Sequence, residues 1–231
     1  MAASTDFGLF GPAHIAILAS IPVAGVVLAA LCRRWPSAAR ITVGCSLLAN
    51  EAVWWTWRFA TEGSRFPEGL PLQLCDLSIW AAIVALFSLN AWACDLAYYV
   101  GIAGTAQAVL TPELWAPMWS YPTAYFFLAH GGVIAAVLML VWSGVMGPRA
   151  PWRAFASMNV WALGVGAFNA AFGTNYMYLC RKPSAASLLD AFGPWPVYIL
   201  VGEAFALAVF WAMYLPFAAH RRAVTRTAIG R

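Results

Sequence analysis

The apolar residues of this chain fall into seven long runs, each ended by proline, glycine or charged residues. The runs are about 18 to 24 residues long, and a helix needs about 20 apolar residues to cross a bilayer. They cover residues 12–32, 40–60, 72–89, 92–111, 122–143, 154–173 and 194–217. The pattern therefore predicts an all-α fold: a polytopic transmembrane helical bundle of about seven spans, forming a single transmembrane domain over residues 1–231.

The fourth run is the least apolar of the seven, because it contains Asp95, Tyr98, Tyr99 and Gln107. It nevertheless has the length of a span. If it only entered the membrane and returned, the count would fall to six and every later segment would change direction.

Composition supports a lipid environment and excludes a soluble domain. Hydrophobic residues make up 63% of the 231 residues and charged residues only 10%, against roughly a quarter charged in soluble domains. The 13 tryptophans suit the interface between headgroups and hydrocarbon. The net charge of +4 is spread over short loops and the tail, with no basic stripe. We therefore expect a multi-pass protein of the cell membrane whose partners are membrane lipids and not nucleic acid.

The distribution of lysine and arginine predicts the orientation, since cytoplasmic loops are enriched in both. One set of loops holds Arg33, Arg34, Arg40, Arg149, Arg153, Arg221, Arg222, Arg226 and Arg231. The opposite set holds Arg58, Arg65, Arg181 and Lys182. The larger set predicts a cytoplasmic C-terminus, and seven spans then place the N-terminus outside.

Polar side chains within the runs are concentrated towards one face of the membrane. Each ionisable group in hydrocarbon costs about 2.5–3.5 kcal/mol on insertion scales, so it needs a partner or a function. The predicted outer half contains His14, Glu51, Gln73, Cys75, Asp76, Gln107, His130, Asn169 and Glu203. The inner half contains mainly Asp95 and Asn159. This asymmetry predicts a shared polar cavity that opens outward, although the same side chains are also suited to hydrogen bonds between helices.

Cys75 and His130 are the two ready-made reactive groups in that half. A thiol needs a base to become a nucleophilic thiolate, and imidazole has a suitable pKa. Counting residues from the span ends places Cys75 about 6 Å and His130 about 12 Å below the outer boundary, so a catalytic pair is sterically possible. Two alternatives remain open: a disulfide between Cys75 and Cys180, and a His130 that only hydrogen bonds in the core.

The segment between the sixth and seventh runs is too aromatic and patterned for a solvated connector. It includes Asn175, Tyr176, Arg181 and Lys182. We expect a structured cap over the cavity, in which Arg181 and Lys182 either bind lipid phosphate or extend to the headgroups without a specific role.

Four separated motifs resemble those of the YwaF-like bacterial membrane proteins, in the same order. They are Pro71-Leu72-Gln73-Leu74-Cys75; Gln107-Ala108-Val109-Leu110-Thr111-Pro112; His130-Gly131; and Gly173-Thr174-Asn175-Tyr176-Met177 with Lys182-Pro183 and Ser187-Leu188-Leu189-Asp190. That family is similar to a eukaryotic heptahelical group that includes an ether-phospholipid acyltransferase. The resemblance covers the second to the seventh run.

The resemblance implies that Cys75 and His130 carry out acyl transfer between lipids. Many relatives have histidine where this chain has Gln73, which leaves His130 as the base. In this hypothesis Gln73, Gln107 or Asn175 donates hydrogen bonds to the oxyanion, and no cofactor is needed.

A transporter or ligand-binding heptahelical protein is the alternative, with Glu51, Glu203 and His130 as proton or cation sites. A zinc site built from His14, Glu51 and His130 has suitable ligand types but no supporting spacing, so no metal is expected.

Overall fold

Helices account for all the regular structure in the part of the chain that the computed structural model describes: residues 7–149, 151–183 and 187–229, with side chains up to residue 219. The α-helices are α1 (Pro12–Arg34), α2 (Pro36–Glu62), α3 (Leu74–Ser88), α4 (Ala91–Leu96), α5 (Ile102–Leu110), α6 (Tyr121–Trp142), α7 (Trp152–Phe172) and α8 (Val197–Ile229). A π-helical turn, Ala97–Gly101, joins α4 to α5. Short 3₁₀ turns at Tyr176–Tyr178 and Leu188–Phe192 lie between α7 and α8.

Each of the seven predicted runs overlaps a helical stretch, which confirms the all-α fold; α8 continues to Ile229, beyond the predicted end at residue 217. Proline at the first helical position begins both α1 and α2, where its missing N–H costs nothing. Glycines with positive φ follow α2 and α7, at Gly63 (φ 71°) and Gly173 (φ 69°), a conformation that glycine adopts without steric cost.

Four helical segments in the described residues are long and apolar enough to cross a membrane: α1, α6, α7 and Val197–Ala219 of α8. Helix α3 is apolar but has 15 residues. The fourth predicted run is one continuous helical stretch through α4, the π turn and α5. The fold is therefore a polytopic bundle of apolar helices.

The chain divides into two compact units, Met1–Met146 and Gly147–Arg231. The first contains α1 to α6 and is centred on α6, whose residues are buried along most of its length. Helix α1 packs against α6 through glycine: a Cβ on Gly131 would lie 3.0 Å from the Ile21 side chain. Small residues allow such close approach between apolar helices. The second unit contains α7, α8 and the loop between them.

The π turn buries two aromatic side chains in the middle of the fourth run. Tyr98 and Tyr99 are 8% and 0% exposed, and their rings meet edge to face with centroids 4.9 Å apart. A π turn contains one more residue than an α-helical turn. It therefore rotates every later side chain by about 100° relative to an uninterrupted α-helix.

Candidate functional site

A buried carboxylate–phenol pair joins α2 to α6. Glu51 is 2% exposed, and the Tyr125 hydroxyl donates a hydrogen bond of 2.9 Å to its Oε1. The Trp54 ring stacks on Tyr125 with centroids 4.1 Å apart and 6° between the planes. Because Tyr125 has a hydrogen bond at one end and a stacked indole on its face, its position is tightly constrained.

The cap of α3 places Cys75 at the second helical position. Gln73 is the N-cap residue, and its backbone N–H donates to Oδ2 of Asp76 at 2.8 Å. The Gln73 side chain in turn accepts from the N3 backbone, which completes a capping box. Unpaired N–H groups and the helix dipole at an N-terminus favour negative charge, and a thiolate benefits in the same way. Cys75 is half-buried there and is a free thiol.

Cys75, Asp76, Glu51 and Tyr125 form one group of interacting side chains, here called the Cys75 cluster. Glu51, Asp76 and Cys75 all interact electrostatically with the Tyr125 phenol, and Glu51 also acts on Cys75 and Asp76. Three helices thus bring a thiol, two carboxyl groups and a phenol together inside an apolar unit. Such a group can hold and exchange protons, while the two carboxylates oppose charge on the thiol.

His130 lies on another face of α6. It is 7% exposed, and its Nδ1 is 2.8 Å from the Phe126 carbonyl oxygen. Because a carbonyl only accepts, Nδ1 carries the proton and a neutral ring keeps its lone pair on Nε2. Five residues separate His130 from Tyr125, which corresponds to about 140° around the helix. Within the described residues no hydrogen bond joins His130 to Cys75, so the catalytic pair stays a prediction.

His14 has a structural role that uses both ring nitrogens. It is 1% exposed; Nδ1 accepts from the Phe10 N–H at 3.0 Å, and Nε2 lies 2.7 Å from the Val109 carbonyl oxygen. The ring therefore links α1 to the end of α5. Among the described residues there is no group of three or more histidine, cysteine or acidic side chains arranged to hold a metal ion.

Gln107 lies near the end of α5 with an exposed side chain. Its backbone carbonyl accepts from both the N–H and the hydroxyl of Thr111. Because Gln107 follows the π turn, its direction differs by about 100° from the one it would have in an uninterrupted α-helix. Cys180, the other half of the possible disulfide, is an exposed free thiol.

In the second unit, Asn169 fastens the loop after α7 with three hydrogen bonds. Its Nδ2 donates to the Tyr176 carbonyl at 3.0 Å, and its Oδ1 accepts from the Tyr176 N–H at 2.9 Å and the Thr174 hydroxyl at 2.7 Å. Asn169 and Tyr176 are 1% and 5% exposed. Tyr176 is therefore a buried anchor of the loop.

Asn175 and Lys182 are both engaged within the same loop. The Asn175 amide donates to the Arg181 carbonyl and accepts from the N–H groups of Cys180 and Arg181. The Lys182 ammonium lies 3.9 Å from Asp190 and 5.6 Å from the centroid of the Tyr198 ring. This ion pair leaves Lys182 less available to a lipid phosphate than its position in the sequence suggests.

Glu203 pairs with Asn159, although residue counting assigned the two side chains to different depths. The Asn159 amide donates to its Oε2 at 2.8 Å, so the two side chains share one level of the second unit. Counting had placed Glu203 in the outer half and Asn159 near the inner boundary. The contact relates the two side chains to each other within this unit, and their depths relative to the membrane stay predictions.

Two members of the Cys75 cluster, Asp76 and Tyr125, have structural roles that the sequence analysis did not predict. Asp76 closes the helix cap, and the spacing Gln73-x-x-Asp76 before an apolar run is the signal that predicts it. Tyr125 holds Glu51, yet a single tyrosine in an apolar run has no distinguishing pattern.

One comparison with known proteins identifies the family. The chain matches the TMEM164 family, a family of membrane proteins, over residues 9–214. No curated protein and no solved structure matches it. With several apolar helices in one chain, this protein is a multi-pass membrane protein, and it belongs to the TMEM164 family.

Proposed function

We propose that this protein is a membrane-embedded acyltransferase or transacylase that moves a fatty acyl group between phospholipids or lysophospholipids through Cys75. The observation that carries the proposal is the Cys75 cluster: a free thiol at a helix N-terminus beside buried proton-exchanging groups. The motif resemblance supports the same assignment, and the family match agrees with a site inside a membrane protein. We propose that the site lies in the outer half of the cell membrane.

The reaction proceeds through a thioester. His130 takes the proton of Cys75, and the thiolate attacks an ester carbonyl carbon of a phospholipid. A carbon–sulfur bond forms and the ester carbon–oxygen bond breaks, while the leaving lysolipid oxygen receives the proton from His130. In the second step the hydroxyl of another lysolipid gives its proton to His130 and attacks the thioester, which regenerates Cys75. No cofactor is required.

Hydrogen-bond donors near the thiol stabilise the oxyanion in each step. Of the three expected donors, Gln73 is the nearest to Cys75 in sequence and is the cap residue of its helix. Asn175 is engaged in its own loop, and Gln107 is exposed. Gln73 is therefore our choice for this role.

His130 must reach the Cys75 sulfur for this proposal to hold. Its Nε2 lone pair is suited to the task, while Glu51 is the alternative proton acceptor because it interacts electrostatically with the thiol. Loss of a general base lowers rates by about 10²–10⁴-fold. We expect a loss of that size in His130→Gln and a smaller one in Glu51→Gln; the reverse order would assign the base to Glu51.

The main test is acyl exchange in proteoliposomes supplied with phospholipid labelled in one acyl chain. Cys75→Ala should abolish both exchange and an acyl-protein adduct that hydroxylamine releases. Cys45→Ser is the matched control, because Cys45 is also a free thiol but is exposed and does not belong to the cluster. Acyl exchange by Cys75→Ser at the rate of the wild-type protein would contradict the proposal.

A transporter or ligand-binding protein is the second candidate, and the observation in its favour is the burial of Glu51 inside an apolar unit. Its other expected site, Glu203, is bound to Asn159 in the second unit. Proton or cation flux across the same proteoliposomes that is lost in Glu51→Gln, without any acyl exchange, would favour this candidate.

A further inference from the structure

A small cleft lies where α2 ends and the following loop turns back. Its volume is about 190 Å³, and its walls include Trp55, Phe59, Phe66 and Leu70 together with Arg58 and Arg65. Pockets for whole drug-sized ligands are about 300–1,000 Å³. The cleft is therefore too small for a whole lipid, and only one part of such a molecule would fit inside it.

The two arginines at the cleft share one acidic partner. Glu62 Oε2 is 3.2 Å from Arg58 Nε and 3.0 Å from Arg65 Nη1. The hydrogen bond from Arg65 and that from Arg58 lower the pKa of Glu62, which lies beyond the apolar stretch of α2. The three side chains thus carry a net charge of +1.

Each guanidinium still has N–H groups to offer. Arginine has five N–H donors in a fixed fork, and the contacts with Glu62 use one nitrogen of each. Arg58 also lies over the Trp55 ring, 5.4 Å from its centroid, which orients the group. A phosphate with two or more oxygens is the anion that matches such forks.

Arg58 connects the cleft to the Cys75 cluster. Besides its contact with Glu62, it interacts electrostatically with Asp76, the residue next to Cys75. The loop that forms the cleft leads directly into the cap of α3. Arg58 and Arg65 also belong to the smaller set of cations on the predicted outer face, where the topology rule does not require them.

We propose that this cleft binds the phosphate of a phospholipid through Arg58 and Arg65 and so presents the ester of that lipid to Cys75. The presentation of the ester to Cys75 rests on the proposed acyl transfer, whereas the binding of phosphate does not. The arginine cleft replaces Lys182 as the phosphate site, since Lys182 is paired with Asp190.

The test measures lipid binding apart from activity. Full-length protein carrying Cys75→Ala, so that no turnover occurs, is purified in a maltoside detergent and titrated with dioleoyl phosphatidic acid, followed by native mass spectrometry. Dioleoylglycerol, which has the same chains and no phosphate, is the matched probe. We expect Arg58→Gln with Arg65→Gln to weaken binding of phosphatidic acid about tenfold or more, the size of a lost charge-assisted hydrogen bond, and to leave dioleoylglycerol unaffected.

Three further variants distinguish a specific effect of the two arginines from a general loss of charge or of folding. Arg181→Gln, which removes an exposed cation of the second unit, should bind phosphatidic acid as the parent protein does. Lysine at both arginine positions should give intermediate binding, because an ammonium keeps the charge without the fork. Glu62→Gln should tighten binding severalfold, a gain that misfolding cannot produce.

Equal binding of phosphatidic acid by the parent protein and the double glutamine variant would overturn the proposal, as would unchanged or weaker binding by Glu62→Gln. The outcome is independent of catalysis, since every protein in the titration lacks the Cys75 thiol. If binding follows the arginines while the protein with Cys75 intact shows no acyl exchange, the phosphate site stands and the acyltransferase proposal fails.

Discussion

Asn169→Ala should destabilise the loop after α7, and the free-energy loss should be large because the hydrogen bonds that Asn169 makes are buried. The substitution removes three hydrogen bonds of 2.7–3.0 Å, each contributing about 0.5–1.5 kcal/mol. It also leaves the buried N–H and C=O of Tyr176 without their partner, which adds to the cost. We expect a total of about 2–4 kcal/mol, which lowers hydrogen-exchange protection of the Tyr176 amide about 30- to several-hundred-fold.

Asn175→Ala is a matched control within the same loop. Asn175 also makes three hydrogen bonds through its amide, to Cys180 and Arg181, but these are exposed to solvent. Water replaces exposed hydrogen bonds, so the loss should be about 1 kcal/mol or less. The assay is hydrogen exchange with mass spectrometry over residues 174–182 in detergent. Equal losses of protection for the two alanine variants would refute the argument from burial.

Three other predictions concern the first unit. Asp76→Ala removes the cap of α3 and the negative charge beside Cys75, so a maleimide should label Cys75 faster; an unchanged rate would contradict this. His14→Leu removes the hydrogen bond between α1 and the end of α5, so the thermal midpoint should fall by an amount that corresponds to about 1–3 kcal/mol of unfolding free energy. The midpoint of His14→Gln should lie between those of wild type and His14→Leu. The folded pKa of Glu62 is lowered by Arg65, so its stabilisation is present above its ordinary value of 4.5 and is lost as pH falls through the lowered value. The thermal midpoints of Glu62→Gln and wild type should therefore converge as the pH falls below 4.5.

The helix ends were largely predictable from sequence because many of them are determined locally. Proline at Pro12 and Pro36 begins α1 and α2, and glycine at Gly63 and Gly173 follows α2 and α7. Such residues act through their own backbone conformation, which no distant contact needs to supply. For this reason most predicted boundaries lie within a few residues of the observed helix ends. Helix α8 is the exception, because it continues to Ile229 while the seventh run ends at residue 217.

The direction in which each side chain leaves its helix was not predictable in the same way. In a soluble helix the polar face marks the outside, but lipid and the bundle core are both apolar, so the pattern does not distinguish them. Counting residues predicted the depths of Cys75 and His130, but it could not show that Tyr125 is the α6 side chain that interacts with Cys75. The contact between Asn159 and Glu203 was missed for a related reason. The sequence does not show how far the loop between α7 and α8 shifts one helix along its axis relative to the other.

The extra residue in the turn Ala97–Gly101 has a consequence for evolution within the family. A one-residue insertion is accommodated there by widening the turn, without breaking the helix. Homologues that lack the turn should be one residue shorter between Asp95 and Gln107, and their glutamine should point about 100° away from its direction here. A one-residue gap between Asp95 and Gln107 in an alignment would therefore mark the members that lack the π turn. In those members the glutamine should face the neighbouring helices, whereas Gln107 of this chain is exposed.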